Sequence, residues 1–262
     1  MPLSSNASFP VALSRVTALL ALLLAAGCDN RGDETKPGKL QVRQESFELR
    51  APDCKGEECP SVSVDYQLFE NRPALNNAIR EQLAQQLQGF AEEAGSPGSV
   101  AAAAEAFLQQ AERAPEDTGN RWHMQGNGKL LGRSGKLVTI EIGSYAYTGG
   151  AHGIPTTHWL NWDLEAGEPV ALEQIIRPGQ EAAFWDLARA AHERWLEEEA
   201  NIDEEFRQGW PFARTENFHL DKKGLTLLYG VYELGPYAMG QVQLTIPRDK
   251  LDKVVREEYL AE

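Results

Sequence analysis

Cysteine is scarce in this 262-residue chain, with three residues, and methionine is equally rare. That leaves little material for a fold built on disulfides or on soft-metal ligation. Long hydrophobic runs are missing too. The longest stretch of apolar and small residues, Val16 to Ala26, has 11 residues, whereas a membrane-crossing helix needs about 20. Basic residues are in short supply: 25 Lys and Arg face 39 Asp and Glu, for a net charge of −14. A chain so acidic is a poor match for nucleic acid or an anionic membrane face, and its field draws in basic proteins.

Catalytic signatures are also absent. No G-x-S-x-G is present, and "AHERW" at Ala191 lacks the second His of H-E-x-x-H, so His192 reads as a surface residue of a helix. The acidic run 197–206, "EEEANIDEEF", has neither the glycine nor the alternating ligands of a calcium loop and reads as a solvated face. His152 and His158 stand with five residues between them, Pro155 among these, but no third metal ligand is nominated. A pair of carboxylates for glycoside hydrolysis could be picked from any 39 acids, so their presence selects nothing. The expectation is therefore no metal, no cofactor and no enzyme.

What is present begins at the N-terminus. Arg15, the 11-residue run and Gly27-Cys28 have the layout of a secretory signal, residues 1–27. The ending "LAAGC" resembles a bacterial lipobox, with Ala25 where Leu is commoner. Lipid on Cys28 would anchor a water-soluble chain to the inner or outer membrane from the periplasmic side. Removing residues 1–27, whose only charge is Arg15, takes the net charge from −14 to −15. Residues 28–39 are polar, carry Gly and Pro, and read as a tether. In an oxidising envelope, Cys54 and Cys59 are expected to close a small disulfide loop.

Beyond the tether the hydrophobic period switches between two and about 3.6. Residues 40–50 alternate around Val42, Phe47 and Leu49, and "SVSVDYQLF" alternates Val62, Val64, Tyr66 and Leu68, so both read as strands. Leu75, Ile79, Leu83, Leu87 and Phe90 then mark an amphipathic helix. Ser99 caps a second one, reaching about Ala114. Residues 121–147 read as strands joined by tight Gly turns. Residues 158–172 form a hairpin turning at 165–168, and 180–199 form a helix with Phe184, Leu187, Ala188, Ala191 and Trp195 on one side. Residues 217–234 hold two strands about a turn at 222–224, "GQVQLTIP" adds a third, and 249–259 close the chain as a short helix. This order predicts an α+β fold, antiparallel sheets with helices packed on one side, in two subdomains, 40–135 and 136–262.

Two segments interrupt strands in an unusual way. "SYAYTGGAHG" ends an alternating strand in Gly149, Gly150 and His152. Glycines here permit positive φ and leave backbone uncovered, which serves a sharp corner or lets a partner reach N–H groups. The His152 ring is expected to bond neighbouring backbone and hold the loop. "YELGPYAMG" stiffens a second interruption with Pro236 and offers Tyr237 as contact area at low entropy cost. Two rigid loops at strand ends can form one binding edge.

At these segments the chain resembles the RsiV/PdaC-like extracellular domain family. The resemblance rests on "YTGGAHG", Asn161 and Asp163 in "NWDLEAGEPVAL", "NFHLDKKGLTLLY", "YELGPYAMG" and "VQLTIPRDKL", with "CPSVSVDYQLFENRPALNNAI" upstream. It implies an α+β domain on the outer side of a membrane. In the anti-sigma-factor members this domain binds lysozyme and blocks its cleft, and in others it accompanies a peptidoglycan deacetylase. Carried over by motif, the contact residues are Thr148, Gly149, Gly150, Pro236 and Tyr237. Some 15 residues precede the apolar run, too few for a cytoplasmic sigma-binding domain, and the deacetylase Asp/His motifs are missing. The expectation is a lipid-anchored binding domain whose partner is a basic protein such as lysozyme or a peptidoglycan-related glycan. A cell-wall (peptidoglycan) hydrolase or esterase using His152 with nearby carboxylates, the accessory domain of such an enzyme, and an envelope scaffold stand as alternatives.

Overall fold

The computed structural model describes residues 40–260, except 53, 55–57, 91–97, 116–118, 120 and 200–201. The signal segment, the tether and Cys28 lie outside the described residues. Among those described, no helix is long and apolar enough to cross a membrane.

Six strands form one sheet in the order β1 to β6. β1 (Val42–Arg50) and β2 (Ser61–Phe69) run antiparallel, and Cys54 and Cys59 are disulfide-bonded in the connection between them. β2 buries Val62, Val64, Tyr66 and Leu68 and exposes Ser63 and Asp65, as its alternation requires. α1 (Pro73–Gln88) starts with proline, whose fixed φ suits a first helical turn. α2 (Val100–Arg113) is capped by the Ser99 side chain, which accepts from the Ala102 amide. Both helices lay their apolar faces on one side of the sheet, Leu83, Leu87 and Phe107 being fully buried there.

The chain returns as β3 (His123–Ser134), parallel to β2. The sheet is therefore not antiparallel throughout, as the sequence reading had it, because the two-helix crossover brings β3 back in the direction of β2. β4 (Leu137–Tyr147), β5 (Ile154–Asp163) and the short β6 (Glu168–Pro169) complete the sheet in antiparallel order. The expectation of Gly turns across this region holds only for Gly135, at φ 55°. Gly126 and Gly128 lie inside β3. A Cβ on Gly126 would stand 3.1 Å from the Leu83 Cδ1, and one on Gly128 3.1 Å from the Tyr66 Cβ, so these glycines admit α1 and the neighbouring strand.

A second core follows, with α3 (Leu172–Ile175), α4 (Glu181–Glu198) and α5 (Glu204–Gly209) leading into the antiparallel sheet of β7 (Phe218–Leu220), β8 (Gly224–Tyr229) and β9 (Val242–Pro247). The chain ends in α6 (Glu257–Leu260). The single closing helix expected over 249–259 is broken. A 3₁₀ turn at Arg248–Lys250 runs into further turns through Val254 and then an isolated bridge of Val255 to Ile176, where the Arg177 amide donates to the Val254 carbonyl and the Arg256 amide to the Ile175 carbonyl, each at 2.8 Å. Helical bonding would withdraw those groups. The expected inward residues Leu251, Val254, Val255 and Tyr259 are nonetheless buried.

His192 corrects the sequence reading as well. It is 3% exposed, stacked on Trp195 at 5.6 Å and facing Phe212 at 5.7 Å. It belongs to the buried stripe of α4 that includes Phe184, Ala188 and Leu196.

Asparagine joins the two sheets. Asn161 on β5 accepts from the Thr139 hydroxyl at 2.7 Å and donates to the Phe218 carbonyl at 2.7 Å. Asn217 accepts from the Trp159 amide at 2.7 Å and donates to the Thr157 carbonyl at 2.8 Å. Beside them, Asp163 gathers the turn after β5, accepting from the Glu165 and Ala166 amides while pairing with Lys136 at 3.0 Å. Burial pushes this carboxyl up. The amides and the Lys136 ammonium outweigh it and hold the pKa below the ordinary value. The division expected at 135/136 falls in the turn joining β3 to β4, neighbours in one sheet.

Candidate functional site

The β4–β5 hairpin closes with residues 148–153, beyond the pair Ala146 and Ile154. Gly149 and Gly150 take φ of 101° and 85°, conformations that a side chain resists. A Cβ on Gly150 would meet nothing within 4 Å. Glycine is required there by the backbone and not by crowding, and the peptide surface is bare. The Tyr147 hydroxyl donates to the Gly150 carbonyl at 3.0 Å and folds the loop onto its own strand. Gly153 is buried for the opposite reason, since a Cβ would run into the Tyr145 ring and the Ala146 carbonyl.

The second loop, residues 230–241, joins β8 to β9. Leu234 is fully buried and roots it, while Glu233 accepts from the Gly230 amide at 2.8 Å. Pro236 is exposed and precedes the 3₁₀ turn Tyr237–Met239, whose last amide donates back to the Pro236 carbonyl. Thr157 on β5 donates to the side chain of Gln241 at 2.9 Å, tying the loop to the first sheet. Tyr232 holds φ 68°, rare for a bulky residue, and is 49% exposed.

The two loops meet face to face. His152 stacks on Tyr237 with ring centroids 3.6 Å apart and planes 14° from parallel. The Tyr237 hydroxyl donates to the Gly153 carbonyl at 2.8 Å. His152 Nδ1 lies 3.2 Å from that same carbonyl, and its Nε2 lies 3.3 Å from the Tyr232 hydroxyl. A carbonyl only accepts, so Nδ1 carries the hydrogen and Nε2 accepts from Tyr232. Both ring nitrogens are engaged, Nδ1 within the first loop and Nε2 across to the second. Thr148 and Gly150 are exposed at the rim of this brace, with Gly149 half-buried between them.

All six residues singled out from the sequence, Thr148, Gly149, Gly150, His152, Pro236 and Tyr237, lie on these two loops. Sequence reasoning passed over Tyr232, whose strained backbone is invisible in a string of letters. It also passed over Tyr145, Tyr147 and His123: the His123 ring stacks on Tyr147 at 5.4 Å and is tilted against Tyr145 at 5.6 Å. The period-two spacing of "YAY" was their available signal. His158 lies on β5 opposite Ile142, and burial pushes its imidazole below the ordinary pKa. Among the described residues no group of three or more His, Cys, Asp or Glu is placed to hold a metal ion.

This geometry defines a two-sheet α+β chain with a braced, glycine-bearing rim where its two halves touch. The family described as "Deacetylase PdaC" matches residues 54–155, which include the first loop and end at the start of β5. The family described as "Protein of unknown function (DUF3298)" matches residues 173–249, which include the second. A DUF3298 family protein from Pseudomonas aeruginosa PAO1 is 30% identical, with a TM-score of 0.74 over 86% of this chain and 98% of its own. A DUF3298 member from Bacteroides fragilis NCTC 9343 shares the fold, at 22% identity and a TM-score of 0.65 over 84% of this chain and 94% of its own. No curated protein matches the chain. The chain belongs to the DUF3298 family, with a PdaC-type segment ahead of its DUF3298 segment.

Proposed function

We propose that the chain is a membrane-anchored envelope lipoprotein whose braced rim is a non-enzymatic binding edge for a lysozyme-like muramidase. The observation that carries this reading is the interlock of Tyr232, His152, Tyr237 and the Gly153 carbonyl beside the bare Gly150 backbone. A rigid rim loses little entropy on entering a cleft, and exposed peptide groups supply hydrogen bonds there. The acidic chain favours a basic partner through long-range attraction. The test is calorimetric titration of the chain from residue 28 with purified lysozyme, alongside Tyr237→Ala. Micromolar binding that weakens at least about ten-fold in the variant is expected. An absence of heat at micromolar concentrations counts against this ligand.

The name of the family matched at residues 54–155 favours one second reading, a cell-wall hydrolase or esterase acting through His152. Turnover of peptidoglycan fragments that disappears in His152→Ala would support it. The engagement of both imidazole nitrogens in the loop brace supports the binding reading instead. An envelope scaffold is the remaining alternative, which a pull-down from envelope extracts would separate.

A further inference from the structure

The six-stranded sheet is covered by α1 and α2 on one side. On the other side, over β1 to β4, it leaves a polar floor. The register aligns this floor in rows across the strands. Glu48, Ser63, Gln125 and Tyr145 form one row, and Ser61, His123 and Tyr147 the next. Ser46, Asp65, Asn127 and Gly143 form a third. Two adjoining open depressions of about 540 and 460 Å³ follow these rows and share Ser63 and Gln125. Ring faces end two of the rows, with His123 stacked against Tyr147 and tilted against Tyr145. A third feature is Asn127, whose side chain lies over Gly143, where a Cβ would stand 2.8 Å from its Nδ2. Gly143 therefore lets the Asn127 amide lie flat across β4.

The chemistry of this floor is selective. Its charged groups already have partners: Asp65 accepts from the Gln44 side-chain amide, Glu48 accepts from the Arg50 guanidinium, and Glu58 pairs with Arg121 at 3.2 Å in the lining of the second depression. What remains available is a set of hydroxyls, two side-chain amides and aromatic faces. That set suits a neutral ligand rich in hydroxyl and amide groups that also has an apolar face. The negative face of an aromatic ring attracts the partly positive C–H bonds of such a face. From His123 to Asn127 the strand takes four residue steps, about 13 Å, enough for several linked rings and too long for one.

We infer that this sheet face binds a β-linked oligosaccharide of N-acetylated amino sugars. The sugar rings lie on His123, Tyr145 and Tyr147, and the N-acetyl groups meet the amides of Gln125 and Asn127. This site is separate from the lysozyme-binding edge proposed above and does not depend on it.

The test is titration of the chain from residue 28 with the β-1,4-linked hexamer of N-acetylglucosamine, followed by amide chemical-shift mapping. Shift changes should concentrate on residues 61–65, 123–127 and 143–147. The double variant Gln125→Ala/Asn127→Ala, at two exposed positions, should weaken binding at least about ten-fold while keeping the parent spectrum elsewhere. Tyr237→Ala should bind the hexamer as the parent does. No shift changes at low-millimolar hexamer, equal binding by the double variant, or changes centred on residues 148–153 and 230–241 would overturn the inference. Binding of cellohexaose, which has the linkage without the amides, as tightly as the amino-sugar hexamer would overturn it too.

Discussion

The imidazole of His152 lies flat on the phenol ring of Tyr237, and the Tyr237 hydroxyl donates to the carbonyl of the residue that follows the histidine. The Tyr237 side chain thereby fixes the backbone of the first loop, and His152 reaches the second loop through the Tyr237 ring and the Tyr232 hydroxyl. The ordering cost is met during folding, before any partner arrives.

The stack and the hydrogen bond can be separated. Tyr237→Phe keeps the ring and loses the donor, and should cost about 1 kcal/mol of stability. Tyr237→Ala removes both and should cost about 2 kcal/mol. In the alanine variant the amides of residues 149–152 should also exchange hydrogen faster. Urea denaturation read by tryptophan fluorescence, with amide exchange, checks both. Equal losses in the two variants would show that the stack contributes nothing.

Glycine is required in the first loop for two different reasons, which substitution should expose. At Gly150 the φ of 85° is the only obstacle, because a Cβ enters open space. Gly150→Ala should cost about 1 kcal/mol, and Gly150→Asn less, since asparagine tolerates this region. At Gly153 the obstacle is the Tyr145 ring and the Ala146 carbonyl. Gly153→Ala should cost about 2 kcal/mol or more by overpacking and should displace Tyr145. Thermal denaturation of the three variants ranks them, and a cost at Gly150 equal to that at Gly153 would contradict the assignment.

Asn161 bridges the two sheets. Asn161→Ala leaves the buried Thr139 hydroxyl and the Phe218 carbonyl without this partner. Each orphaned group costs about 1–3 kcal/mol, so a total of about 2–6 kcal/mol is expected. Thr139→Ala should cost less in the Asn161→Ala background than in the parent, since the two changes break one bond. A denaturant double-mutant cycle measures the coupling, and strict additivity would show that the bond carries no energy.

Much of this fold was legible because its signals are local. The alternation of Val62, Val64, Tyr66 and Leu68 set β2, and the Ser99 cap set the start of α2. The loops carrying Gly149 and Tyr237 stood out because glycine and proline interrupt apolar strands for a backbone reason. What escaped depends on partners distant in the chain. The parallel pairing of β3 follows from the crossover and leaves no mark on β3 itself. Gly126 and Gly128 looked like turns because their crowding comes from α1 and Tyr66. The closing helix failed because residues 175–177 claim its backbone. His192 is a different case: its spacing from Ala188 placed it on the buried stripe, and residue type was weighed over period.

His192 ties stability to pH. Burial pushes its imidazole below the ordinary pKa, Arg207 acts in the same direction and Glu193 opposes them. Its buried Nε2 has no hydrogen-bond partner among the described residues. An unfolded histidine takes a proton near pH 6.5, so the folded chain holds its full advantage above that value. The advantage falls as pH drops through 6.5 toward the lower folded pKa, by at most about 1.4 kcal/mol per pH unit. Burial lowers His158 and His219 in the same sense, so the parent should lose stability steadily between about pH 6.5 and pH 5. His192→Phe keeps an aromatic ring against Trp195 and Phe212 and removes the titrating group. It should stay within about 1 kcal/mol of the parent at pH 7.5, where the parent histidine is neutral, and exceed the parent in stability at pH 5.5. Urea denaturation at pH 7.5, 6.5 and 5.5, on the order of one histidine titration below and above its ordinary pKa, gives the slope. A variant that tracks the parent at every pH would remove His192 from the account of acid sensitivity.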